Sequence, residues 1–282
     1  MANKSDRALI VIGGHEDKVG DKQVLSEVAR RTGSGKLVIT TVASSEPAGL
    51  FEEYERVFRR LGVKHISKLG IKERAEATDD RKVRTLDDAT AVFFTGGDQL
   101  KITSQIGDTP IYKRITEIYE SGGVIAGTSA GASVMCETMI VGGGDEQSHR
   151  VEDSLRLAPG LGLIQGMVID QHFAERGRMG RLLGAIAQNP KNIGIGVDED
   201  TAIVIEREQG FYVIGRGAVS VIDGAGITYS NIAEEQADAT ASMYDVKLHV
   251  LSQGDRLDLS TRRPEKLKGK AATALPGRKD EK

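Results

Sequence analysis

Residues 127–131 read Gly-Thr-Ser-Ala-Gly, and the wider stretch GGVIAGTSAGASVM keeps the neighbours of Ser129 small or apolar. This fits G-x-S-x-G, the sharp strand-to-helix turn that exposes a serine Oγ and aims the first N–H groups of the helix at whatever the serine attacks. A serine N-cap in a closely packed turn would use similar residues. A nucleophile needs, in addition, a base and a group that orients the base.

Of five histidines, His249 alternates with Leu248 and Val250 and is expected to face water, His65 opens an apolar run without polar company, and His149 lies in the polar loop GGGDEQSH. His15 follows the first apolar run, within GGHEDK. Only His172, in DQHFAERGR, both follows a strand-like run and carries polar residues on each side, so it is the expected base. The orienting acid should accept the imidazole N–H and so fix its tautomer. GVDEDT offers Asp198, Glu199 and Asp200 after another apolar run, with Glu199 on the opposite face from both aspartates if the strand continues there. Spacing leaves all three open. The order serine, histidine, acid differs from the serine, acid, histidine order of α/β-hydrolases.

The elements that must position these groups alternate along the first half. Strands are expected at 8–14, 36–41, 65–70, 91–97 and 123–127, with helices near 21–31, 48–61 and 81–88 and within 99–121. The second half is richer in strands, at 166–173, 193–197, 201–206, 211–217, 218–223 and 245–252, with a helix near 176–187. Alternation of this kind implies an α/β fold with a doubly wound, mostly parallel sheet and helices on both faces. The 211–223 pair reads as an antiparallel hairpin extending that sheet. In such sheets ligands bind at the carboxyl ends of strands, which is where GGHEDK, TGGDQLK, GTSAGAS, DQHF and GVDEDT all fall.

Composition is that of an ordinary globular protein, 39% hydrophobic and 28% charged in 282 residues. A net charge of -3 gives no reason to expect nucleic acid or an anionic membrane as partner. One cysteine, Cys136, excludes an internal disulfide and a cysteine-based zinc cluster. The first residues lack the pattern of a signal peptide and no run is long enough to span a bilayer, so a cytoplasmic location is expected. RTGSGKL lacks the first glycine of a P-loop, Arg30 standing in its place and Leu37 replacing the Ser or Thr, and GLGLIQG has the wrong spacing for a dinucleotide fingerprint. No cofactor is expected. The last residues mix charge, Gly and Pro without periodicity, which predicts one catalytic domain over 1–264 and a disordered basic tail over 265–282.

The blocks VIGGHEDK, FFTGGDQLK, AGTSAGAS, DQHFAERGRMGRL, GIGVDEDTA and KLHVLSQGDRLDL, in this order, resemble the cyanophycinases, in the peptidase group that also contains peptidase E. The resemblance implies a fold like that of class I glutamine amidotransferases, a serine peptidase without metal, and a triad of Ser129, His172 and Glu199. It implies as substrate cyanophycin, a polyaspartate carrying arginine on each side-chain carboxyl, released as β-aspartyl-arginine dipeptides. It further implies that Gln99, Asp170, Gln171, Arg176, Arg178 and Arg181 line the substrate site, and that the chain is a homodimer. The N–H groups of Gly97 and Ala130 are expected to hold the oxyanion. Forked cations for carboxylates and acids or amides for guanidinium groups suit such a zwitterionic substrate. Two other readings are a peptidase E-like α-aspartyl dipeptidase and a non-catalytic binding protein on the same fold.

Overall fold

The computed structural model describes residues 7–142, 155–206, 209–233 and 240–267. In the first half the apolar runs become β1 (Ala8–Ile12), β2 (Lys36–Thr40), β3 (His65–Leu69), β4 (Ala89–Phe94) and β5 (Val124–Thr128). Between them lie α1 (Gln23–Thr32), α2 (Pro47–Arg60), the short α3 (Asp80–Val83), α4 (Gln99–Ile106) and α5 (Pro110–Glu120), and α6 (Ala130–Ser133) follows β5. The second half contributes β6 (Thr138–Gly142), β7 (Arg156–Pro159), β8 (Met167–Gln171), α7 (Met179–Gln188), β9 (Ile193–Val197), β10 (Thr201–Glu206), β11 (Gly210–Gly215) and β12 (Val219–Asp223). The short strands β13 (Tyr229–Ser230) and β14 (Met243–Tyr244), then β15 (Lys247–Leu251), β16 (Asp255–Asp258) and β17 (Arg263–Lys266), complete it.

The main sheet runs β17-β16-β11-β10-β1-β5-β4-β2-β3. From β1 to β3 all pairings are parallel, and from β1 to β17 all are antiparallel. This is the expected α/β class with antiparallel strands added by the C-terminal half. One face is covered by α1 and α2, whose Val24, Leu25, Val28, Tyr54, Val57 and Phe58 pack on Ile10, Ile39 and Phe93. Helices α4 and α5 cover part of the other.

The rest of that second face is covered in a way the sequence does not announce. Strands β8, β9, β12 and β15 form a separate sheet, ordered β15-β12-β9-β8, whose Ile169, Ile195, Val197, Val219 and Val221 share one core with Leu9, Val11 and Ile203 of the main sheet. Its outer face is closed by α7 through Leu182, Ala185 and Ile186. The expected hairpin over 211–223 is therefore corrected: β11 and β12 belong to different sheets, and the turn between them carries the chain across. Both strands are apolar and β-branched, so their local pattern is the same whichever sheet buries them.

Two further readings change. His249 is only half exposed and its Nε2 is buried, whereas Leu248 and Val250 face solvent, so the alternation of β15 is the reverse of that expected. The expected boundary at residue 264 falls inside β17, which pairs with β16, and Leu267 packs against the core and donates its N–H to the Gly254 carbonyl. Residues 268–282 of the expected tail, and His149, lie outside the described residues. Among the described residues no helix is long and apolar enough to cross a membrane.

Candidate active site

The elbow after β5 begins with Ser129 at φ 54° and ψ -115°, a strained backbone for a residue with a side chain. Its N–H donates to the Ile12 carbonyl, and its own carbonyl accepts from Ala132 and Ser133. The flanking glycines are dictated by the backbone: a Cβ on Gly127 would lie 2.2 Å from the Gly131 oxygen, and one on Gly131 would lie 2.4 Å from the Phe94 oxygen. Only glycine lets the strand, the turn and β4 approach so closely.

His172 follows β8, in the second sheet, with φ 48°. Its N–H donates to the Gly13 carbonyl, which ties it to the end of β1. The imidazole Nε2 lies 3.0 Å from Ser129 Oγ, and Nδ1 lies 2.6 Å from Glu199 Oε1. A carboxylate only accepts, so Nδ1 carries the proton and Nε2 presents a lone pair to the serine hydroxyl. Glu199 sits in the turn from β9 to β10, where the chain passes from the second sheet to the main one.

Its neighbours do other work. Asp198 accepts the N–H groups of Ala174 and Ala218, and Asp200 accepts that of Asp17. Of the three acids that spacing left open, Glu199 is the one that meets the His172 ring. Burial lowers the affinity of the His172 ring for a proton, and the positive charge of Arg176 adds to this, against the raising effect of Glu199, so its pKa lies below the ordinary value. For Glu199, burial pushes the carboxyl up, but hydrogen bonds from His172 and His15 outweigh it and hold the pKa below the usual range. At neutral pH the pair is therefore a neutral imidazole beside an ionised carboxylate.

The GGHEDK loop, which its sequence places at the ligand end of the sheet without fixing its role, is part of this assembly. His15 Nδ1 lies 3.0 Å from the same Glu199 Oε1. Glu16, buried, accepts from Thr128 Oγ1 at 2.7 Å and from the Tyr54 hydroxyl, so it anchors the residue before Ser129 to α2. Asp17 accepts three backbone N–H groups within the loop, chiefly that of Lys22, which pulls its pKa down to about 2. The available signal was position alone: the loop follows a strand at the same sheet end as the elbow.

The remaining expected residues fall into two groups. Gly96 and Gly97 turn beside the elbow, a Cβ on Gly96 lying 3.3 Å from Ser129 Cβ. A Cβ on Gly97 would meet the Ala43 oxygen at 2.1 Å, so glycine alone fits there. Ala130 opens α6, so its N–H belongs to the turn a helix leaves unpaired. Gln99 opens α4 and donates to the Ile140 carbonyl at 3.0 Å.

The arginines are not equivalent. Asp170, 1% exposed, takes the whole fork of Arg181 through Nε at 2.6 Å and through Nη2, and also Arg178 Nη1 at 3.3 Å. Arg178 Nη1 donates further to the carbonyl and side chain of Gln171, and burial, only partly offset by Asp170, pushes its pKa down to about 10. In this packing the Arg181 fork and Asp170 are paired with each other. Arg176 lies in the turn before α7 and is exposed, with its N–H on the His172 carbonyl.

Residues 9–214 match peptidase family S51. The chain belongs to peptidase family S51. The serine-type peptidase class expected from the sequence stands with that membership. Among curated S51 relatives, a cyanophycinase of Nostoc sp. is 40% identical over 258 residues, covering 90% of this chain and 86% of that protein. The cyanophycinase of Geminocystis herdmanii is 37% identical over 262 residues, covering 91% and 95%. Among solved structures, a peptidase from an acI-B1 Actinobacterium superposes with a TM-score of 0.66 at 22% identity, covering 92% of this chain and 99% of its own. A putative peptidase E protein from Listeria monocytogenes does so with 0.53 at 16% identity, over 75% of this chain and 99% of its own. Both share the S51 fold.

Proposed function

We propose that this S51 peptidase is a cyanophycinase in which Ser129 is the nucleophile, His172 the general base and acid, and Glu199 the orienting acid. The observation that carries the assignment of roles is the unbroken chain Ser129 Oγ, His172 Nε2, His172 Nδ1, Glu199 Oε1, at 3.0 and 2.6 Å. The substrate rests on the curated relatives named cyanophycinase at 36–40% identity over about nine-tenths of the chain. His172 takes the Ser129 proton as Oγ attacks the backbone carbonyl of an aspartyl residue. The tetrahedral oxyanion lies against the N–H groups of Ala130 and Gly97. His172 then gives its proton to the leaving amine, and a water, deprotonated by the same ring, cleaves the ester and frees Ser129.

Incubation of the protein with insoluble cyanophycin should release β-aspartyl-arginine, read by mass analysis of the soluble fraction. Release from α-aspartyl dipeptides but not from the polymer would favour a peptidase E-like activity instead.

Because the reaction needs His172 neutral, kcat/KM should rise with pH through a midpoint below the ordinary histidine value of 6.5 and then level off. The sign follows from the shift: a ring that holds its proton less firmly becomes a base at lower pH. A midpoint at or above 6.5 would contradict the environment described for the ring.

Arg176, Arg178 and Gln99 are the groups we assign to substrate, with Asp170 and Gln171 holding Arg178 and Arg181 paired to Asp170. Arg176→Lys keeps the charge near His172 but loses the planar fork. A charged hydrogen bond of this type contributes roughly 1.5–3 kcal/mol, so kcat/KM on cyanophycin should fall about tenfold to hundredfold. Hydrolysis of a small activated ester should stay as it was. Equal losses on both substrates would assign Arg176 to the frame.

A further inference from the structure

Glu199 Oε1 is shared by two imidazoles. His172 Nδ1 lies 2.6 Å from it and His15 Nδ1 3.0 Å, and the two rings stand edge to face with centroids 5.0 Å apart. Ligand atoms of all three side chains lie within 4.8 Å of one another. The mechanism above uses His172 and Glu199 and gives no task to the His15 ring, which is 72% exposed on its side chain yet held in a fixed place. Its backbone sits at φ 43°, while the adjoining carbonyls of Gly13 and Gly14 accept from His172 and Asp200, and Glu16 is pinned to Thr128.

We propose that His15, His172 and Glu199 form a binding site for a divalent transition ion of the zinc type, and that occupancy switches the peptidase off. Two neutral imidazoles and a carboxylate form a ligand set that zinc uses in sites with an open fourth position. Nitrogen ligands select against magnesium and calcium, which prefer all-oxygen shells. Zinc to nitrogen or oxygen bonds of about 2.0–2.2 Å in a tetrahedron place ligand atoms about 3.4 Å apart. The two separations from Glu199 Oε1 must therefore open by less than about 1 Å, and the exposed His15 gives an entry path and leaves the fourth position to water.

The inhibitory consequence rests on the catalytic reading above and follows from tautomers. To offer Nδ1 to the ion, the neutral His172 ring must shift its proton, through solvent, from Nδ1 to Nε2. The ring then donates toward Ser129 and has no lone pair with which to take the serine proton. His15 Nδ1 must likewise be free of a proton to bind the ion.

Calorimetric titration of the full chain with zinc chloride tests the site directly, with the Ser129→Ala protein titrated alongside because Ser129 is not a ligand. One ion per chain is expected in both, and a visible d–d spectrum with cobalt(II) in its place. His15→Asn keeps a donor for Glu199 where Nδ1 stood but is a poor zinc ligand, and it guards against misfolding of His15→Ala. Both variants should bind zinc at least tenfold more weakly, and whatever ester hydrolysis they retain should resist a zinc concentration that silences the parent reversibly to EDTA. Absence of binding to the parent, or parent-like affinity in both His15 variants, overturns the site. Tight binding with undiminished hydrolysis overturns the switch and leaves the site.

Discussion

Ser129→Ala is expected to lower kcat on cyanophycin by roughly 10⁴-fold or more while leaving the fold intact. The hydroxyl makes its contact to His172, whereas the strained backbone of the elbow is held by the Ser129 N–H on Ile12 and by its carbonyl on Ala132 and Ser133. Alanine retains all of those, so the melting temperature should move little. His172→Ala should lose a similar amount, and the double variant little more, because serine and histidine act as a unit and not as independent contributors. A fluorophosphonate should add one adduct to the parent, seen by intact mass, and none to Ser129→Ala. Near-normal turnover in a clean preparation of the alanine variant would remove the serine mechanism altogether.

Glu199→Gln should cost about 10³–10⁴-fold in kcat, although it changes one atom. A glutamine can offer its amide N–H to His172 Nδ1, which stabilises the tautomer with the proton on Nε2, and that ring cannot accept from Ser129. The neighbouring Asp198→Asn should behave in the opposite way. Asp198 accepts from Ala174 and Ala218, joining the turn after His172 to the start of β12, and an amide nitrogen opposite one of those N–H groups leaves it unsatisfied. A cost of roughly 1–3 kcal/mol follows, read as a fall of several degrees in Tm with most of kcat retained. If the two substitutions exchanged signatures, the assignment of the orienting acid would be wrong. The same contrast explains why three adjacent acids look interchangeable in the sequence, although one faces the base and two brace the backbone.

What the sequence determined by itself is local. Apolar runs of strand length and amphipathic stretches between them specify the parallel half of the main sheet, because periodicity is written in residues that are near neighbours. The elbow is legible for the same reason: Gly127, Ser129 and Gly131 satisfy a turn whose close backbone approaches are settled within a few residues and by the next strand. The polar cluster around His172 and the acids 198–200 were recognisable as chemistry, and their positions after strands pointed to one end of a sheet.

Tertiary structure decided what depends on contacts between distant segments. His172 reaches Ser129 from a second sheet stacked on the first, a placement set by which apolar face Ile169, Ile195 and Val221 bury against and not by their own pattern. Glu199 meets His172 and its neighbours do not because the chain changes sheets there, turning Asp198 and Asp200 onto backbone N–H groups. The Arg181 fork, readable in sequence only as a cation near the base, is taken by a carboxylate 11 residues away that is almost wholly buried. A buried charge must be paired, and which partner pairs it is fixed by packing, which is why the sequence showed the charges and only the fold showed their use.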